Sequence, residues 1–148
     1  MDECACYFFL GDQRGIQEAC GRALVTLEEK TGEHPDNHWF HVSLGQTYAY
    51  LGRKEEAIRE AERAVVLMPV EKDAIGGLRP LESLARVYAL SGEPDAAIER
   101  IEFLLSIPST LAVVDGQLTS DGGQVHPFWD PLRDHPRFQA LLEEYDTE

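Results

Sequence analysis

Apolar positions recur with helical spacing through most of the chain. In the middle of the sequence, Leu44 and Tyr48 share one helical face, and this stretch ends at Gly52. A second amphipathic stretch follows, carries small residues such as Ala57 on one face, and stops before Pro69. Small residues let two antiparallel helices approach closely. The pattern therefore predicts a helical hairpin with a tight turn at the glycine.

The same pattern is written more than once. Aligning residues 43–62 with residues 83–102 gives eight identical positions, where roughly one or two are expected by chance. Tyr48 then falls on Tyr88, and a shift of 41 residues places Tyr7 on Tyr48. We expect one domain made of successive hairpins. Its units are a partial repeat at 1–30, a repeat at 38–69, a repeat at 78–108, and a loop with a capping helix at 109–148.

The last unit departs from the repeat. Leu111–Val114 has the composition of a short strand, and Thr119–Gly123 has the composition of a turn. A closing helix is predicted over Pro136–Tyr145, with Phe138 and Leu142 on its apolar face. The last hairpin of an array exposes an apolar face, so a capping helix is expected to cover it.

Residues 2–108 resemble the tetratricopeptide repeat. The middle unit matches at seven signature positions, which are Leu44, Gly45, Tyr48, Gly52, Ala57, Ala64 and Pro69. The third unit matches at Leu84, Ala85, Tyr88, Gly92, Ala97 and Leu104, and the first only at Tyr7, Gly11 and Ala23. The resemblance implies an all-α array of antiparallel helix hairpins, stacked as a right-handed superhelix. It also implies a protein-interaction module that binds a peptide or a partner domain.

The C-terminal part has a second resemblance. The segments 104–109, 129–133 and 135–142 are similar to the C-terminal ends of bacterial multidomain repeat proteins. Those proteins carry a kinase, nucleotide-cyclase or DNA-binding domain ahead of the repeats, and no such domain is recognisable here. The polar segment Asp115–Val125 also differs from the usual connection. The resemblance implies a repeat tail without the head, and no activity of the head is transferred.

In the implied superhelix, the first helix of each hairpin lines a concave face. The residues that we expect to contact a partner there are Trp39, Gln46, Tyr50, Arg79, Glu82 and Arg86. Aromatic and arginine side chains carry much of the binding energy of protein interfaces. Arg79 and Arg86 lie two helical turns apart, so both are expected to reach a carboxylate. The alternative is that Phe8, Phe9 and Trp39 pack against the closing tail helix instead.

The net charge of the chain argues against two classes of binding partner. The 148 residues contain 13 Lys and Arg against 27 Asp and Glu, a formal net charge of −14. Such a chain repels phosphate backbones and anionic lipid surfaces, so we expect neither nucleic-acid nor membrane binding. No apolar run is long enough to span a bilayer, and the N-terminus lacks the basic start of a signal peptide. We therefore expect a cytoplasmic protein.

The candidate chemistry of the sequence is sparse. Three cysteines are too few and odd in number for a disulfide framework, so they are interpreted as reduced thiols, with Cys20 in the core. His34, His38 and His41, together with Asp36, are grouped closely enough for a zinc or nickel site. The competing interpretation is a polar loop in which His41 fills the aromatic position of the repeat.

No phosphate-binding loop or nucleophile elbow is present in the sequence, so we expect no catalytic residues and no cofactor. Two alternatives to a peptide-binding module remain. In the first alternative, the chain is a regulatory tail that self-associates through its apolar N-terminal segment 7–10. In the second, it is a small enzyme that uses the histidine group.

Overall fold

The computed structural model describes residues 2–107, 119–120, 124–125 and 127–145. These residues form an all-α chain whose helices pack as antiparallel neighbours, with one short pair of strands. The helices are α1 (Glu3–Leu10), α2 (Gln13–Glu33), α3 (His38–Tyr50), α4 (Lys54–Leu67), α5 (Leu78–Leu90), α6 (Pro94–Leu105) and α7 (Pro136–Tyr145). The strands β1 (Thr119–Ser120) and β2 (Gln124–Val125) pair antiparallel, and a 3-10 helix, η1, spans Pro127–Leu132.

The turns inside the three helix pairs share one geometry. Gly11, Gly52 and Gly92 have φ of 69°, 77° and 77°, the left-handed conformation that glycine adopts without steric cost. After each glycine, the next backbone N–H donates to the carbonyl of a tyrosine, Tyr7, Tyr48 or Tyr88, at 2.9–3.0 Å. The glycines predicted from the sequence to end helices therefore do so, and they do so by the same hydrogen bond.

Close packing within a pair rests on small residues. A Cβ atom on Gly45 of α3 would lie 3.1 Å from the Ala57 carbonyl oxygen and 3.1 Å from the Ala61 nitrogen. Both alanines are completely buried in α4. The backbones of α3 and α4 thus touch at a point where no larger side chain fits, as the small-residue pattern predicts.

Tyr48 and Tyr88 have matching surroundings. The Tyr48 hydroxyl donates to Glu28 of α2 at 2.7 Å, and the Tyr88 hydroxyl donates to Glu62 of α4 at 2.8 Å. Each tyrosine therefore ties the first helix of one pair to the second helix of the preceding pair. Burial, followed by the hydrogen bond to the carboxylate, raises the pKa of each phenol to about 12.

Replacing Glu28 by glutamine is expected to lower the pKa of Tyr48 without returning it to its usual value, since burial is the larger cause and remains. The folded chain holds this phenolic proton to a higher pH than the unfolded chain does. Stability is therefore lost as the pH rises from the unfolded pKa of 10 towards about 12. Ultraviolet titration of Glu28→Gln, with Glu29→Gln as the control, measures the shift. An unchanged titration curve would contradict the interaction.

The tail packs onto the helix pairs through η1 and α7. Trp129 and Leu132 of η1 and Phe138 of α7 are buried in the same core as the helix pairs. On the surface, Arg137 pairs with Glu102 of α6 at 2.9 Å. The predicted closing helix is thus confirmed with its predicted bounds. The predicted strand at Leu111–Val114 lies outside the described residues.

The cysteine interpretation was wrong for two of the three residues. A disulfide joins Cys4 of α1 to Cys20 of α2, with the Cα atoms 5.0 Å apart, while Cys6 is exposed and free. The odd number of cysteines argues only against a framework in which every cysteine is paired, and it does not exclude a single disulfide. A single bond needs only two antiparallel helices that bring one pair of sulfurs together.

Among the described residues, no helix combines the length and the apolar character that crossing a bilayer requires.

Candidate functional site

A cavity of about 210 Å³ lies between α3 and α5. Five of the six residues predicted to contact a partner line this cavity: Trp39, Gln46, Arg79, Glu82 and Arg86. Val42, Ser43 and Ser83 complete its wall. We call this cavity the α3–α5 groove. Two neighbouring helices contribute to it because each presents the same face, at i, i+3 or i+4 and i+7, towards its neighbour.

The sixth predicted residue, Tyr50, does not line the groove. It is only 7% exposed, and its ring lies 5.0 Å from the ring of Phe8 in α1. Burial is the main cause that raises the pKa of its phenol. Tyr50 is therefore the residue of α3 against which Phe8 of α1 packs. Sequence spacing placed it on the correct helix, but periodicity alone does not reveal that α1 covers this position.

The charges inside the groove differ from the prediction. Glu82 lies between Arg79, whose guanidinium is 3.6 Å away, and Arg86, to which it is hydrogen-bonded. The two arginines do reach a carboxylate, but it belongs to their own helix. Burial raises the pKa of Glu82 against the opposing effect of the arginines, and burial lowers the pKa of Arg86. The wall of the groove is thus a mostly buried acid–base pair with one outer cation, Arg79.

The tail forms one boundary of this region. The Arg86 guanidinium lies 4.3 Å from the centre of the Phe128 ring, and Phe128 lies 4.8 Å from Phe9 of α1. A cation over an aromatic face is an attractive contact. Phe128 therefore links the first helix pair to the third. Phe9 thus contacts the tail at η1, whereas the sequence alternative placed it against the closing helix α7. Sequence reasoning missed the contact of Phe128 with Arg86.

The accessible part of the groove is its rim. Trp39 is 49% exposed, and the Arg79 side chain is 56% exposed. Between them, Gln46 donates to the Ser83 hydroxyl at 3.0 Å, which holds the polar floor in place. An exposed indole beside an exposed guanidinium presents a flat apolar surface and a charge at the mouth of one cavity.

A second cavity, of about 540 Å³, lies between α1, α2 and α3. It shares Ser43 and Gln46 with the α3–α5 groove, so the two cavities meet along α3. Its opposite wall includes Glu3 and Arg22, which pair at 3.2 Å. The α3–α5 groove thus continues across α3 into a cavity walled by α1 and α2.

The histidine group is not arranged as a metal site. One ring nitrogen of His41 lies 2.7 Å from Glu60 and the other lies 2.8 Å from the Pro35 carbonyl oxygen. Both nitrogens are therefore engaged by acceptors, and His41 is buried. Within the part of the chain that the structure describes, no group of three His, Cys, Asp or Glu side chains is placed to hold a metal ion.

The N-terminal apolar segment is only partly available to a partner. Tyr7, Phe8 and Phe9 are partly buried against the core, and Leu10 is exposed. Self-association through this segment stays a prediction.

Comparison with models of known families, with curated proteins and with solved structures finds no match to this chain. Any role of the groove must therefore be inferred from the chemistry of its own walls.

Proposed function

We propose that this protein is a non-catalytic interaction module that binds a peptide or a partner domain in the α3–α5 groove. The observation that carries the proposal is the convergence of an exposed tryptophan, an exposed arginine and a fixed polar floor in one cavity. Such side chains dominate the energetics of protein interfaces. The recurring glycine turns and the matching tyrosine contacts support a tetratricopeptide-like superhelix as the framework of this groove.

The groove favours a partner with two chemical features. Trp39 offers a flat apolar surface, which suits an aliphatic or aromatic side chain of the partner. Arg79 keeps exposed donors because its guanidinium is 3.6 Å from Glu82 and not enclosed by it. A partner carboxylate beside the apolar side chain would pair with Arg79. Arg86, in contrast, is occupied by Glu82 and Phe128.

Arg79→Glu is expected to weaken partner binding about tenfold or more, because it places a second carboxylate beside Glu82 at the groove mouth. The measurement is titration calorimetry with a partner first captured on the wild-type chain and then purified. Arg14→Glu is the matched control, since Arg14 is an exposed helical arginine that does not line the groove. Thermal unfolding of both variants is expected to match the wild type within a few degrees. Equal affinity of Arg79→Glu and wild type would overturn the proposed site.

A further inference from the structure

We propose that the Cys4–Cys20 disulfide is a reversible redox clamp that holds α1 over Tyr50 and Phe128, next to the α3–α5 groove. The clamp itself is argued from the contacts of α1. The idea that release of α1 regulates partner binding rests on the function proposed above. The disulfide joins α1 to α2 across 16 residues of sequence.

The helix that the clamp holds is short. α1 has eight residues, and a helix of this length is not stable in water without tertiary contacts. Only Cys4 and Ala5 of α1 are buried, while Phe8 and Phe9 are partly covered. One of the two fully anchored residues is therefore a member of the disulfide itself.

Helices α3 to α6 do not depend on α1 in the same way. The backbone contact of Gly45 with Ala57 joins α3 to α4, and the Gly92 turn joins α5 to α6. The Tyr48 and Tyr88 hydroxyls connect the pairs to one another without α1. Release of α1 is consequently expected to be a local event.

A small reductant has a route to the bond. Cys4 lines the cavity of about 540 Å³ between α1, α2 and α3, whereas Cys20 is completely buried. The sulfur of Cys4 is thus the one that a thiolate entering this cavity meets first. The same cavity adjoins the α3–α5 groove through Ser43 and Gln46.

The chemistry is thiol–disulfide exchange with a dithiol. One thiolate of the dithiol attacks the Cys4 sulfur, the bond to Cys20 breaks, and Cys20 leaves as a thiolate. The second thiol of the reductant, as its thiolate, attacks the mixed disulfide, forms a cyclic disulfide and releases Cys4. The protein gains two electrons and, once both thiolates are protonated from solvent, two protons. The dithiol is oxidised by the same two electrons.

Release of α1 would uncover a defined apolar surface. Phe8 covers Tyr50, and Phe9 covers Phe128 beside Arg86. Without α1, the rings of Tyr50 and Phe128 border the groove. In the reduced state, the site therefore extends from the α3–α5 groove onto an aromatic surface.

The test uses the full chain in three forms: oxidised, reduced with dithiothreitol, and reoxidised. Alkylation followed by mass spectrometry is expected to label one cysteine in the oxidised form, namely Cys6, and three in the reduced form. Amide hydrogen exchange in residues 3–10 is expected to accelerate about tenfold or more on reduction, while α3 to α6 keep their protection. Binding of the apolar dye anilinonaphthalene sulfonate is expected to rise in parallel, and reoxidation is expected to reverse both changes.

Two variants sharpen the result. Cys4→Ser should behave as the reduced wild type in either buffer, and the matched control Cys6→Ser should respond to reduction like the wild type. Three labelled cysteines under oxidising conditions would overturn the proposal. So would unchanged exchange in α1, or loss of protection in all helices together, since the bond would then be a general staple. No partner is used, so this result is independent of the Arg79→Glu test.

Discussion

Replacing Trp129 by alanine is expected to lower the free energy of unfolding by about 3–5 kcal/mol. Trp129 is 2% exposed and is among the largest completely enclosed side chains of the described residues. Truncation removes the transfer free energy of the indole and leaves a cavity in the core that joins η1 to α5. Urea denaturation followed by circular dichroism measures the loss.

Trp39→Ala is the matched control for this experiment. The chain has two tryptophans, and Trp39 is half-exposed at the groove mouth. The same substitution there is expected to change stability by less than about 1 kcal/mol. If Trp129→Ala lost as little stability as Trp39→Ala is expected to lose, the tail would not be part of the core, and Phe128 would not form a fixed boundary of the groove.

The burial of η1 also bears on the proposed function of the groove. Phe128 lies beside Trp129 in η1 and contacts both Arg86 and Phe9. Because three residues of η1 are buried together, the cost of lifting this segment is several times the cost of exposing one side chain. A partner is therefore not expected to displace the tail. The segment for which we propose a response is α1, which is held by the Cys4–Cys20 bond, by buried Ala5, by the Glu3–Arg22 pair and by the partly covered rings of Phe8 and Phe9.

The helices were predictable because their signals are local. Gly52 and Gly92 mark turns that need a left-handed backbone, and Ala57 and Ala97 mark crossings where only a small side chain fits. The period of 40 to 41 residues then places the groove residues on α3 and α5, the first helices of two successive pairs. For that reason, five of the six predicted groove residues line one cavity.

The interactions that sequence reasoning missed all join residues of different helices. Tyr50 shares the face of Gln46, but α1 folds over it. Phe128 reaches Arg86 from more than forty residues away, and no period connects them. The Cys4–Cys20 bond depends on the register of two antiparallel helices, which the count of cysteines does not specify. Sequence spacing shows which residues share a face, and tertiary packing decides which of them remain open to a partner.

Glu82 and Arg86 show how this packing changes the expected effect of a substitution. Their side chains are 7% and 14% exposed, so removing either one breaks a mostly buried charge pair. Glu82→Leu is expected to lower the free energy of unfolding by about 3–5 kcal/mol. Arg79, which also faces Glu82, is exposed and remains hydrated, so its loss of a partner contributes little.

The double variant Glu82→Leu/Arg86→Met is expected to recover most of that stability, since replacing a buried pair by apolar side chains of similar size is often neutral or better. Chemical denaturation of the two single variants and the double variant completes the cycle. A double variant no more stable than Glu82→Leu would mean that Arg86 is held by Phe128 more than by Glu82. If stability is recovered and partner affinity is lost, the buried pair serves recognition, because it keeps the groove wall polar and holds Arg79 at its mouth.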